Sequence, residues 1–163
     1  MYRSSPVLRR RVHGDILFAP MFFLGVLAAI AIPAYQDYTT RSQVTEGLNL
    51  ASAVKVAAAE YYATNSSWPA TLKDLGFDKV PRGHYVAAVT MYKGTVVILY
   101  GRQATPQIAR KLLTLRPTTN ARHDVIWSCG YSEDVGVDPE SGPAAPNTTN
   151  IELKYLPRAC RGK

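Results

Sequence analysis

A chain of 163 residues has room for one small folded domain and an anchoring element, which excludes two independent cores. Its 19 basic and 12 acidic side chains leave a net charge of +7, yet no dense Lys/Arg stripe with interleaved aromatics marks a nucleic-acid groove. No CxxC occurs, and His13, His84 and His123 lie at no ligand spacing, which argues against a metal centre.

In chain order, the first feature is a basic segment, residues 1–15, where Arg3, Arg9, Arg10 and Arg11 are opposed only by Asp15. Residues 16–36 (ILFAPMFFLGVLAAIAIPAYQ) then contain no charged side chain. About 20 such residues suffice for a helix to cross the hydrocarbon core. Pro20 fits the first turn, and the uninterrupted apolar run is Met21 to Ile32. A buried helix of a soluble protein is the other reading of this run. The arginines on one side favour a membrane span with its N-terminus in the cytoplasm. A cleaved secretory signal fits less well, because an amphipathic helix follows without a turn-rich break. Residues 37–163 would then form an extracytoplasmic head, with 15 basic against 11 acidic side chains. That balance is either an ordinary solvated surface or a weak attraction toward anionic surfaces or DNA.

In an oxidising compartment the two cysteines, Cys129 and Cys160, most simply form one disulfide. Closing a loop of about 30 residues stabilises a fold by roughly 3–4 kcal/mol in the chain-entropy model.

The helical period continues past Tyr35 through Val44, Leu48, Ala51, Val54, Ala58 and Tyr61 or Tyr62, with Gln43, Glu46, Asn49, Ser52 and Glu60 on the other face. One helix from about Ile16 to Ala63 is therefore expected, stopped by Thr64-Asn65-Ser66-Ser67 and Trp68-Pro69. A loop with a short helix at Ala70–Leu75 comes next. Strands are expected at Tyr85–Tyr92 and Thr95–Tyr100, joined by a tight Lys93-Gly94 turn, then at Leu112–Arg116, ended by Pro117, and at Asp124–Cys129. Ala104–Lys111 reads as a connecting loop or one helical turn. Gly130–Asn150, rich in Gly, Pro, Ser, Asp and Asn, should be an irregular surface loop, and Ile151–Leu156 a return to the sheet. A long helix followed by an antiparallel meander is an α+β arrangement.

The residues from Gly25 to Pro69 (GVLAAIAIPAYQDYTTRSQVTEGLNLASAVKVAAAEYYATNSSWP) resemble the N-terminal helix of a bacterial type IVa major pilin. A hairpin, the strand DVIWSCG and the terminal KYLPRAC extend the resemblance, which covers the chain from about Met21 onward. It implies the type IV pilin fold: a long N-terminal helix packed on a four-stranded antiparallel sheet, with a C-terminal loop closed by a disulfide at 129–160. It implies a structural subunit of a type IV pilus, serving adhesion, twitching motility or DNA uptake. Its partners would be other pilin subunits in a homopolymer, the assembly machinery in the inner membrane, and a host receptor or DNA. Before assembly the subunits would form an inner-membrane pool, and afterwards an extracellular pilus.

Gly25 and Pro33 match the family's helix-weakening positions, between which the helix loosens on polymerisation; without that resemblance they read rather as ordinary kinks in a membrane helix. Tyr35, Tyr38 and Arg41 match residues just beyond the apolar segment that take part in filament assembly, although tyrosines there also suit an interfacial belt. The family's mature chain starts with a phenylalanine after a glycine and has a glutamate four residues later. Aligned on Pro33, those three positions are Val12, Arg11 and Ile16 here, with Asp15 one residue from the glutamate's place. Asn65-Ser66-Ser67 and Asn147-Thr148-Thr149 match a glycosylation sequon of the kind that arises by chance.

Alternatives remain at this level: a minor pilin or pseudopilin, or a membrane-anchored binding module for DNA or a surface ligand. No GxSxG, HExxH, phosphate-binding glycine loop or framed carboxylate pair is present, so no enzymatic activity and no cofactor is expected.

Overall fold

The computed structural model describes residues 15–132 and 146–162, with side chains from Pro20 onward. The basic segment, apart from the backbone of Asp15, and residues 133–145 of the expected Gly/Pro loop lie outside the described residues.

The apolar run and the amphipathic run form one helix, α1 (Asp15–Asn65), with Pro20 and Pro33 inside it. It ends where expected because its last carbonyls find other donors. Thr64 and Asn65 donate their side chains to the carbonyls of Glu60 and Tyr61. Ser66 turns left-handed (φ 53°) and donates its N–H to Tyr62. The chain divides into two compact units, Met1–Gln36 and Asp37–Lys163.

In the second unit, α1 presents Thr40, Val44, Ala51, Val54 and Ala58 to the interior at three- to seven-residue steps, one stripe of a helix. Facing them is an antiparallel sheet of four strands in sequence order: β1 (Val86–Tyr92), β2 (Thr95–Tyr100), β3 (Leu112–Thr119) and β4 (Val125–Cys129). Its inward residues Val89, Met91, Val96, Ile98, Tyr100, Leu113 and Leu115 complete the core. Tyr100 of β2 meets Val44 near the start of this helical stretch and Trp127 of β4 meets Lys55 farther along, so sheet and helix run alongside each other.

The β1–β2 connection is the expected two-residue turn, with Lys93 (φ 46°) and Gly94 (φ 77°) both left-handed, matching the twist of the flanking strands. Its amides are docked onto the loop after α1: Lys93 N–H donates to Ala70 and Gly94 N–H to Pro69. Trp68 lies beneath the turn, stacked on Tyr62 at 4.2 Å and edge-on to Trp127 at 6.2 Å. A Cβ on Gly94 would come within 2.7 Å of the Trp68 Cβ. Gly94→Ala should therefore destabilise the head by about 2 kcal/mol, from the left-handed backbone and the clash together, read as a lower denaturation midpoint.

Two local expectations need correction. Pro117 does not end the third strand, which runs on to Thr119 with Pro117 opposite Trp127. Leu112 and Thr114 direct their amides away from β2, so the odd residues of β3 direct theirs toward it. β2 pairs only with 112–115, so at Pro117 the missing donor faces a side where β2 has ended. Likewise Ile151–Leu156 does not return to the sheet but contains a 3-10 turn, Leu153–Tyr155. The preceding residues have already filled the open flank of β3. Asn150 Oδ1 accepts from Leu112 N–H at 2.7 Å, and Thr149 Oγ1 accepts from Thr114 N–H at 3.0 Å. Ile151, Tyr155 and Leu156 are then free to enter the core. Residues 104–111 form a connecting loop of hydrogen-bonded turns, in which Ile108 and Ala109 both donate to the Thr105 carbonyl.

Candidate functional site

The most unusual surface is the apolar part of α1. From Pro20 onward its large side chains are exposed, from 44 % at Val26 to 71 % at Phe22. A contiguous apolar surface of this extent needs lipid or other helices to cover it. The segment is long and apolar enough to cross a membrane. Gly25 sits in this run, and a Cβ there would meet nothing within 4 Å. Pro33 and Tyr35 are exposed on the same part of α1, and the helix is unbroken through both Gly25 and Pro33. Pro33 has no N–H for the Ala29 carbonyl, so the ladder there is one bond short.

Tyr38 and Arg41 belong to the second unit, on the face of α1 turned away from the sheet. Together with Ser42, Thr45, Glu46, Asn49 and Leu50 they line a shallow depression of about 820 Å³. Glu46 is half-buried at its edge, and its carboxylate accepts the backbone N–H of His84 at 2.6 Å and of Tyr85 at 3.2 Å. That carboxylate holds the entry of β1 against the helix. Removing it in Glu46→Ala should cost about 1.5–2 kcal/mol, the value of charge-assisted bonds discounted for partial exposure, seen as a lower denaturation midpoint.

Gln43, expected on the polar face with Glu46, is instead buried. Its Oε1 accepts the Thr105 N–H at 2.8 Å and so ties the 101–111 loop to α1. The Tyr100 hydroxyl donates to the Val44 carbonyl at 2.9 Å, and burial first, then the Glu46 charge, raises its pKa well above the ordinary phenol value. Lys55 lies 5.4 Å from the centre of the Trp127 ring, and partial burial lowers its pKa.

At the C-terminal end, Cys129 and Cys160 form the expected disulfide, with Cα atoms 4.5 Å apart. The surrounding backbone is knitted to it. Tyr131 N–H donates to the Cys160 carbonyl, Asn147 Nδ2 to the Gly130 carbonyl at 2.6 Å, and the Tyr131 hydroxyl to Thr149. Asn147, the sequon asparagine, is thus engaged in closing the loop. Among the described residues no group of three or more His, Cys, Asp or Glu is placed to hold a metal.

Similarity to known proteins follows the same lines. The family described as Pilin, a bacterial filament, matches residues 40–161. A type IV major pilin protein of Neisseria gonorrhoeae is 36 % identical over 143 residues, covering 85 % of this chain and 79 % of that protein. A fimbrial protein of Neisseria meningitidis is 34 % identical over 146 residues, covering 85 % of each chain. A fimbrial protein of Eikenella corrodens is 34 % identical over 143 residues, covering 85 % of this chain and 81 % of the relative.

Proposed function

Because this chain belongs to the pilin family of bacterial filament proteins, we propose that it is a structural subunit of a type IV pilus, held by residues 16–36 in the inner membrane before assembly and extracellular afterwards. The observation that carries this reading is the run of exposed apolar side chains on α1. Lipid covers such a surface in the membrane pool, and the same segments of other copies cover it in a filament. Little hydrophobic energy changes in that exchange, so association rests on close packing. A charge placed there has no good environment in either state. Ile30→Lys should abolish surface filaments while the head keeps its disulfide and its thermal transition. Filaments of normal number and length from this variant would overturn the reading.

Gly25, Pro33, Tyr35, Tyr38 and Arg41 are the assembly residues of this account. Melting of the helix between Gly25 and Pro33 is inexpensive where one ladder bond is already missing. Pro33→Leu completes the ladder and favours helix at that position by about 3 kcal/mol. Fewer and shorter filaments are expected, counted by electron microscopy on sheared material. The disulfide-closed C-terminus, residues 129–160, is the surface offered to a receptor. Which of adhesion, twitching and DNA uptake depends on it is decided by scoring all three in a strain lacking the chain.

A further inference from the structure

Residues 151–156 anchor themselves in the core but leave one apolar side chain out. Ile151, Tyr155 and Leu156 are buried, and the 3-10 turn is closed by Tyr155 N–H to the Glu152 carbonyl and Leu156 N–H to the Leu153 carbonyl. Leu153 is 51 % exposed and stands between Glu152 and Lys154, whose side chains are 56 % and 55 % exposed. Their ion pair, at 3.5 Å, is screened by solvent and weak enough to exchange partners. The turn is thus an apolar knob flanked by one charge of each sign.

The depression on the outward face of α1 has the complementary form. Tyr38, Arg41, Thr45 and Asn49 follow one another at three- to four-residue steps along one stripe of the helix. The described residues that line it all belong to α1, so it is an open trough that receives a protruding group and does not enclose a small molecule. Tyr38 and Leu50 give it apolar surface, and Arg41 and Glu46 give it one charge of each sign. The Glu46 carboxylate is fixed by the N–H groups of His84 and Tyr85 and keeps lone pairs for a further donor. Knob and trough both belong to the unit Asp37–Lys163, and Leu153, Tyr38 and Arg41 are all exposed, so the knob does not fill the trough of its own copy.

We propose that the knob at 152–154 of one copy docks into the 38–50 trough of a second copy, with Leu153 entering it, Glu152 facing Arg41 and Lys154 facing Glu46. The proposal rests on the filament reading and deepens it by naming one pair of surfaces through which copies meet. Charge complementarity selects this occupant: a polyanion or an anionic lipid surface would suit Lys154 and Arg41 but set like charge against Glu152 and Glu46. The turn is already ordered by its buried neighbours, so little conformational freedom is lost on docking. Knob and trough are different patches, which makes the contact heterologous, the class that builds filaments when its rotation does not close.

The test places photoreactive p-benzoylphenylalanine in place of Leu153 in the full chain, expressed in cells that are then irradiated intact. Chain–chain adducts are expected, with the cross-linked peptide of the second chain lying within residues 38–50. Arg41→Glu should lower their yield about fivefold, and adding Glu152→Arg should restore it, because the two charges are then exchanged. Adducts that map elsewhere on the second copy, or to another protein or to lipid, would overturn the proposal. So would a yield that Arg41→Glu leaves unmoved, or a loss that the second substitution does not restore. A probe at Ile30 separates this contact from the filament reading beneath it. Chain–chain adducts from Ile30 with none from position 153 overturn the knob alone, and adducts from neither position overturn both.

Discussion

Gly47→Leu is expected to lower the unfolding free energy of the head by about 3–5 kcal/mol, enough to remove most of the stability of a small domain. Gly47 lies in the middle of the buried stripe of α1, where the helix packs against β2. A Cβ there would stand 2.5 Å from the Tyr100 hydroxyl and 2.9 Å from Ile98 Cγ2. Both neighbours are fully buried and belong to the sheet, so neither has space to retreat. The substitution therefore overpacks the interface and also breaks the hydrogen bond from Tyr100 to Val44, leaving a buried hydroxyl unpaired. Gly47→Ala discriminates between packing and propensity. Alanine favours a helix over glycine by about 1 kcal/mol, so a stabilised alanine variant would show that the sheet can yield. A destabilised one is expected here. Gly25→Ala is the control, because its added methyl meets nothing and should leave the head's transition unmoved. Guanidinium denaturation followed by tyrosine and tryptophan fluorescence gives all three values.

Loss of the disulfide is the second large effect. Cys160→Ser, or reduction, should cost about 3–4 kcal/mol from loop-closure entropy across a sequence separation of 31 residues. The native contacts around it add a local signature. Residues 147–150 complete the open flank of β3, and Asn147 and Tyr131 hold the two sides of the loop together. Without the covalent tie these bonds must close a free C-terminal tail. Amide exchange in 146–162 is expected to accelerate by at least tenfold, while exchange in β1 and β2 changes only with global stability. A reduced protein with an unchanged midpoint and unchanged exchange would show that the core alone fixes the C-terminus.

Particular residues show why some of this is legible in the sequence. The helix in the head was readable because Val44, Ala51, Val54 and Ala58 recur on one face, and the hairpin because Lys93-Gly94 sits between two β-rich runs. The disulfide followed from two cysteines beyond an apparent membrane span. Other features depend on what lies across space. Gln43 and Glu46 read as solvated polar residues, yet one ties the 101–111 loop to α1 and the other holds the entry of β1. Gly47 gives no signal in a hydrophobic period, since the need for glycine comes from Tyr100, more than fifty positions later. Trp68 joins Tyr62, Gly94 and Trp127, segments whose meeting only the folded topology decides. Pro117 reads as a strand stop, yet proline's cost in a strand depends on which side has a neighbour, and β2 has ended on that side.

Among the candidate assembly residues, Gly25, Pro33 and Tyr35 are exposed on the apolar part of α1, and Tyr38 and Arg41 on its outward face in the head. Their shared property is exposure to solvent. The most direct test of the subunit reading is the protein composition of filaments sheared from the surface of cells that express the chain, measured by intact-mass spectrometry. The account predicts that this chain, with Cys129 and Cys160 oxidised, makes up the bulk of the filament mass. Filaments that lack it, while the chain remains wholly in the membrane fraction, would contradict the account.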